Sequence, residues 1–512
     1  MVRRTAALAA PGAGVQARIA GDAMSAADVL PVLLVVCKGL LTVVGTACLL
    51  SGIDDCFIDL CFAAMACRRL TALRIASEQE LLGAAERPIA VMVPAWDESA
   101  VIGRMVGNFL KSVTYSNYHV FVGTYPNDPG TQREVDVVTK SFANVHRVVC
   151  PNNGPTCKSD CLNWIYQAIL DFERQTSTTF SMFVIHDAED VPHPLSFKLF
   201  STLIPRHDMV QLPVLCLPTK WHWFTAGHYL DEFADSHVRE VPVRQWLSGS
   251  IPAAGVGCAF SRRALRLLAA DSENQVFSLD SLTEDYEIGM RLRAYGLSQI
   301  FVNMALERPG TQRGFISGRL RHAPTRECIG TWEYFPARFS QAVRQKSRWI
   351  VGITMQGWTG LGWRGDVWTK YALFRDRKGL VTNQVVMAGY VAVAFVVAVW
   401  IATSLVPDAY RYPPMVESGS WLWYVMWMNG FLMLERLVLR SFCVRRLYGW
   451  RQALLAVPRQ VWSNVVNFTA TARAIRLFAR HLITGRPIAW DKTGHVFPSE
   501  GELRRRAELR AA

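Results

Sequence analysis

The sequence predicts an α/β fold, a doubly wound and mostly parallel sheet with flanking transmembrane helices, and three features of its 512 residues point there. Between residues 89 and 187, short apolar runs and stretches of helical periodicity alternate four times, with connections short enough for βαβ units. Apolar runs flank this region, and 385–406 (VVMAGYVAVAFVVAVWIATSLV) carries no charge. Such a run crosses a hydrocarbon core of roughly 30 Å at about 1.5 Å per residue. The positions just after the expected strands are acidic: Asp97 and Glu98, then Asp128, then Asp187, Glu189 and Asp190. In open α/β sheets ligands bind outside the carboxyl ends of the strands, so those acids mark where chemistry should lie.

In chain order, an N-terminal segment (1–28) leads into a first expected span at 29–53, whose one charge is Lys38. No small-residue cleavage site follows it, so it reads as a retained helix rather than a signal peptide. Residues 54–87 mix acidic, apolar and basic side chains and are expected to form an interfacial linker. The globular domain, 88–378, opens with a strand at 89–93 between two prolines, then a helix over 99–112, a strand at 118–124 and a turn at 126–130. A helix near 131–142, a strand at 146–150, a helix near 157–174 and a strand at 182–187 follow. After the span at 385–406, a third at 419–440 has belt-like Trp and Tyr residues but includes Glu435 and Arg436, which must pair or face protein. The tail, 447–512, is basic and amphipathic, a pattern that suits a membrane surface or packing on the catalytic domain.

Arg68, Arg69 and Arg74 follow the first span, Arg375, Arg377 and Lys378 precede the second, and Arg440, Arg445, Arg446 and Arg451 follow the third, whereas 408–418 holds only Arg411. Basic residues stay inside, which makes the chain a multi-pass protein with a cytoplasmic globular domain. The net charge of +13 is concentrated beside these spans, where anionic membrane lipids account for it without nucleic acid as a partner. The 12 cysteines include no C-x-x-C pair, and Cys157 and Cys161, one helical turn apart, are expected to be reduced thiols.

Four stretches carry candidate chemistry. The run 183–192 (FVIHDAEDVP) ends a strand in Asp187, Glu189 and Asp190, close like charges for which a divalent cation is the natural compensation. Magnesium is usually held by one or two carboxylates together with diphosphate oxygens. Lys158 and Asn163 stand at a helix start, where a lysine can reach a phosphate or uracil oxygen, although helix surfaces also carry lysines for solubility. Gln345 and Arg348 share a helical face with Trp349 beside them; a guanidinium binds a diphosphate and an indole offers a sugar a flat surface. In 281–292 (SLTEDYEIGMRL), Ser281 and Glu284 have the spacing of a capping box, and Asp285 is a candidate general base.

Val93-Pro94-Ala95, Asp128, Asp187-Ala188-Glu189, Thr283-Glu284-Asp285 and Gln345 to Trp349, in this order, resemble the membrane-bound family-2 glycosyltransferases, the group that includes cellulose and hyaluronan synthases. One departure is Glu189 at the second D-x-D position, with Asp190 as an extra acid. Residues 51–55 (SGIDD), 122–128 (VGTYPND), 376–383 (DRKGLVTN) and 490–493 (WDKT) look like the phage-adsorption protein B (NfrB) type of that group. The resemblance implies a GT-A-like nucleotide-sugar domain in the bacterial cytoplasmic (inner) membrane. It implies inverting transfer of a sugar, N-acetylhexosamine for this type, from a UDP-sugar to a growing exopolysaccharide, with Mg²⁺ or Mn²⁺ as cofactor. By the same resemblance Asp285, with Glu284, is the base; Asp128, Lys158, Asn163 and Asp187 bind the donor; Asp187, Glu189 and Asp190 hold the metal. Gln345, Arg348 and Trp349 then face acceptor and diphosphate. The acceptor is a polysaccharide or a lipid-linked sugar, and an export partner subunit completes a secretion path for which three spans are few. Two alternatives are non-processive transfer to a lipid carrier, and a membrane receptor or assembly protein with a degenerate transferase domain.

Overall fold

The computed structural model describes residues 26–70, 74–308, 311–313, 320–322, 325–405, 414–486, 488 and 494–504. Its main sheet has seven strands: β1 (Ile89–Pro94), β2 (Tyr118–Thr124), β3 (Val145–Val149), β4 (Met182–Ile185), β5 (Met209–Gln211), β6 (Cys258–Ser261) and β7 (Gln299–Phe301). Their spatial order is β7-β5-β6-β4-β1-β2-β3, parallel throughout except for β6, which runs antiparallel to both β4 and β5. Both faces of β1 are covered, which is why it reads as an unbroken apolar run. Ile89, Val91 and Val93 join one core, and Ala90 and Met92 join the core on the opposite face.

The helices α1 (Ala26–Cys67), α2 (Ile102–Ser112), α3 (Pro129–Ser141) and α4 (Lys158–Thr176) precede β4, and α5 (Phe224–Asp235) follows β5. Then come α6 (Glu284–Ala294), α7 (Phe339–Ile350), α8 (Val367–Leu405), α9 (Trp421–Tyr448) and α10 (Trp450–Thr484). The chain builds β1, β2 and β3 outward in one direction and then returns to place β4 on the other side of β1. That reversal opens a crevice beyond the ends of β1 and β4, the place where such sheets bind ligands. A small three-stranded sheet, with 331–333 between 191–192 and 214–216, brings Glu333 toward the same end.

The chain divides into two compact units, 1–50 with 388–430, and 51–387 with 431–512. In the first, Lys38 meets Glu417 at 3.4 Å, and Asn429 donates to the Gly45 carbonyl at 2.8 Å. The second holds the sheet and its helices. Among the described residues two helices are long and apolar enough to cross a membrane, Leu30–Cys67 and Val367–Leu405. Helix α9 covers the third expected span but carries Glu435, Arg436 and Arg440, and it is not one of these two.

The interfacial linker expected over 54–87 begins as helix: α1 runs unbroken to Cys67. Its acids are neutralised by α8, with Asp54 2.5 Å from Arg375 and 2.6 Å from Lys378, so the helix has no electrostatic reason to stop. In the tail, α10 packs against α5 through buried Arg459, 2.6 Å from Asp231, and against α7 through Asn467, whose Oδ1 accepts from Lys346 Nζ at 2.6 Å. Residues 490–493 of the tail lie outside the described residues.

Candidate active site

The crevice is a cavity of 310 Å³ whose walls include Trp96, Lys158, Asp187, Glu189, Asp285 and Arg348. Lys158 is the first residue of α4, which aims its side chain at the acids that follow β4. Its Nζ lies 2.6 Å from Asp187 Oδ1 and donates to the Gly255 carbonyl at 3.4 Å. Gly255 has φ +73, and a Cβ there would sit 2.5 Å from Asp285 Oδ2 and 3.2 Å from Lys158 Nζ. Only glycine lets the backbone pass so close to both groups. Buried Gln211 clamps this turn: its Oε1 accepts from Ala254 N at 2.9 Å and its Nε2 donates to the Val256 carbonyl at 2.9 Å. Asp187, Lys158, Gly255 and Asp285 therefore form one contiguous row across the cavity.

Negative charge exceeds positive charge here. Burial, with Asp285 adding to it, raises the Glu284 carboxyl to about 8. Burial also raises Glu189 to about 8, with His495 pulling it down and Asp187, Asp190 and Glu98 pushing it up. Asp285 is pushed up by burial and partly restored by Lys158, while burial drives Glu333 well above the ordinary range. Burial works against the Lys158 ammonium, yet Asp187, Glu284 and Asp285 outweigh it and hold the charge firmly. His495 is raised to about 9, burial opposing and Glu189 and Glu98 prevailing. Its Nδ1 stands 2.8 Å from Glu98 Oε1 and 3.2 Å from Glu189 Oε2.

A divalent cation fits this arrangement. Among the described residues buried Glu189 Oε2 makes no hydrogen bond, its contact being the 3.2 Å ion pair with His495, and the available donors are hard carboxylate oxygens. Among the described residues no three His, Cys, Asp or Glu side chains form a ready-made cage. An ion here would rest on Asp187 and Glu189 and complete its shell with phosphate oxygens and water, as magnesium commonly does.

Several expected site residues lie elsewhere. Asn163 does not line the cavity: its Nδ2 donates to the Phe277 carbonyl at 2.8 Å and its Oδ1 accepts from Phe277 N at 3.0 Å. Asp190 is fully buried behind the wall, its Oδ2 2.7 Å from His186 Nδ1 and accepting from Asp187 N at 3.1 Å, so it shapes the acidic turn rather than facing the cavity. Asp128 is also off the wall, its two oxygens accepting from Thr131 N at 3.1 Å and Asp97 N at 2.6 Å. It caps α3 and ties that helix to the end of β1. The capping box is absent, because α6 begins at Glu284 with Thr283 as a cap that makes no side-chain bond, and Ser281 Oγ accepts from Thr283 N at 3.2 Å instead.

Gln345, Arg348 and Trp349 do reach the cavity from α7. Trp349 stands edge-on to Tyr229 of α5 with centroids 6.0 Å apart, and one turn earlier on the same face buried Lys346 lies 5.3 Å from the same ring and pairs with Glu232 of α5. Cys161 faces Cys150, 3.6 Å between sulfurs, and both it and Cys157 are free thiols. Glu333, His495 and the turn at Gly255 were not anticipated. Glu333 ends a strand too short to show a period, and His495 comes from the far end of the chain. Its one local signal was the neighbouring 490–493 stretch.

Residues 86–352 match the family described as "Glycosyltransferase like family 2". The chain is 44% identical over 459 residues, 88% of its length, to "Bacteriophage adsorption protein B" of Escherichia coli (strain K12). The figures are the same for "Bacteriophage N4 adsorption protein B" of Escherichia coli O157:H7, and the chain spans 61% of the length of these curated relatives. Among solved structures, the mannosyltransferase PcManGT from Pyrobaculum calidifontis, in complex with GDP-Man and Mn²⁺, aligns with a TM-score of 0.50 at 13% identity. The alignment covers 86% of this chain and 99% of that one, and the likeness is one of fold.

Proposed function

The chain belongs to glycosyltransferase family 2, and from that premise we propose that it transfers a sugar with inversion from a UDP-sugar to a growing exopolysaccharide at the bacterial inner membrane. N-acetylhexosamine is the sugar we infer, with export coupled to synthesis. The observation that carries this reading is the row from Asp187 through Lys158 and Gly255 to Asp285, which sets a cation-and-phosphate corner against a carboxylate base in one cavity.

In this mechanism Asp285 takes the proton from the acceptor hydroxyl as its oxygen bonds to the anomeric carbon and the bond from that carbon to the UDP oxygen breaks. Burial raises Asp285 and so strengthens it as a base. Lys158 and Arg348 meet the charge that develops on the leaving diphosphate. A divalent metal on Asp187 and Glu189 supplies further positive charge there when bound. Trp349 offers the acceptor sugar an aromatic face. The acceptor continues past Trp349 into a second cavity of 700 Å³ that shares this tryptophan in its wall and is lined by polar side chains of α8, α9 and α10.

UDP release from a panel of UDP-sugars by the purified chain tests the proposal. Wild type turns over at least one donor, and Asp285→Asn does not. Turnover unchanged in the variant contradicts the role of Asp285, and no turnover with any donor contradicts the transferase reading.

A further inference from the structure

Helix α6 carries more than the base. Tyr286 follows Asp285, and its buried hydroxyl donates to Asp376 Oδ2 at 2.6 Å. Asp376 belongs to α8, the helix whose later residues form the apolar run, and it lines the second cavity rather than the catalytic one. Arg244 Nη1 donates to both oxygens of Asp376, at 2.8 and 2.9 Å, and its guanidinium stands 6.0 Å from the Tyr286 ring centre. Asp376 thus accepts from a phenol and a guanidinium at once. These contacts hold Tyr286 from the side away from the chemistry.

The start of α6 needs such a tie because Thr283, its cap, makes no side-chain bond. Successive side chains leave a helix about 100° apart, so any roll that breaks the Tyr286 contact also swings Asp285. Gly255 leaves little slack, since even a methyl group there would overlap the Asp285 carboxylate. Small displacements of a base are costly in rate.

We propose that Asp376, acting through Tyr286, is a positioning residue for the transfer reaction and fixes the Asp285 carboxylate from the helix that continues into the membrane-spanning run. The inference rests on Asp285 being the base. Steady-state kinetics of the full chain, with whichever UDP-sugar it turns over, test it in Tyr286→Phe, Asp376→Asn and the double variant. Each single change is expected to lower kcat at least tenfold with donor KM within twofold. The double variant is expected to be no more than threefold slower than the slower single, because both changes cut the same link. A kcat within twofold of wild type in Tyr286→Phe, or factors that multiply in the double variant, would overturn the proposal. Tyr286→Phe keeps the buried Arg244–Asp376 pair and decides the question even if Asp376→Asn fails to fold. Wild type lacking turnover would instead remove the transferase reading on which the proposal stands.

Discussion

Two acidic clusters of this molecule use the same residue types to opposite ends. At the junction of α1 with α8, Asp54 and Asp55 meet Arg375 and Lys378, and Asp59 and Asp235 meet the fully buried Arg239. Each of these four acids has a cation in contact. In the catalytic cavity Glu98, Asp187, Glu189, Glu284, Asp285 and Glu333 share Lys158, Arg348 and His495, and several of them hold protons well above the ordinary carboxylate range. Balanced charge is what a joint between helices requires. A surplus of buried carboxylates is tolerable only where something cationic binds, or where a base must be poised near working pH.

The contrast can be broken in order of expected effect. Asp285→Asn removes the proposed base without changing shape and should cut transfer by about 10²- to 10⁴-fold, read as UDP release. Arg239→Met strips the cation from Asp59, leaves Asp235 only Arg436 at 3.4 Å, and should destabilise the protein by about 3–5 kcal/mol, measured by denaturant unfolding, with no rescue by metal or UDP. Glu189→Gln should do the reverse in the cavity, leaving the metal-free melting temperature equal or higher while weakening Mn²⁺ binding at least tenfold by calorimetry.

A fourth test is pH. Glu189 and Glu284 sit at about 8 when folded against an ordinary 4.5, and His495 at about 9 against 6.5. The folded state therefore binds protons that the unfolded chain has released, and stability falls as pH rises. Their contribution is full below 4.5 and is lost as pH passes about 8 for the carboxylates and about 9 for the histidine. The metal-free melting temperature should decline over that window, and added Mn²⁺ should flatten the decline. The smallest effect is expected from Asn163→Ala, which should cost about 1–3 kcal/mol of stability by leaving Phe277 backbone groups unpaired while donor KM stays within twofold.

The first four strands were legible because each is a short apolar run closed by turn residues, and β1 to β4 lie within two residues of the expected bounds at every end. The strands β5, β6 and β7 were not, since three or four residues cannot display a period. Asp187, Glu189, Asp285, Gln345, Arg348 and Trp349 could be read because the residues after strands and on one helical face do meet at one cavity. Asn163, Asp190 and Asp128 lie off the cavity wall for a common reason: a short polar side chain can bond a neighbouring backbone as readily as a ligand, and composition does not distinguish the two. His495 was hidden by distance along the chain, because it reaches Glu98 across 397 positions.

We infer that the surplus of carboxylates marks a metal-assisted donor site. UDP release by the purified chain, measured with Mn²⁺ and then with excess chelator, beside the same pair of measurements on Asp187→Asn, tests it most directly. Wild type is expected to turn over with Mn²⁺ and to stop on chelation, and the variant to lack turnover under both conditions. Turnover indifferent to both chelator and substitution would contradict it.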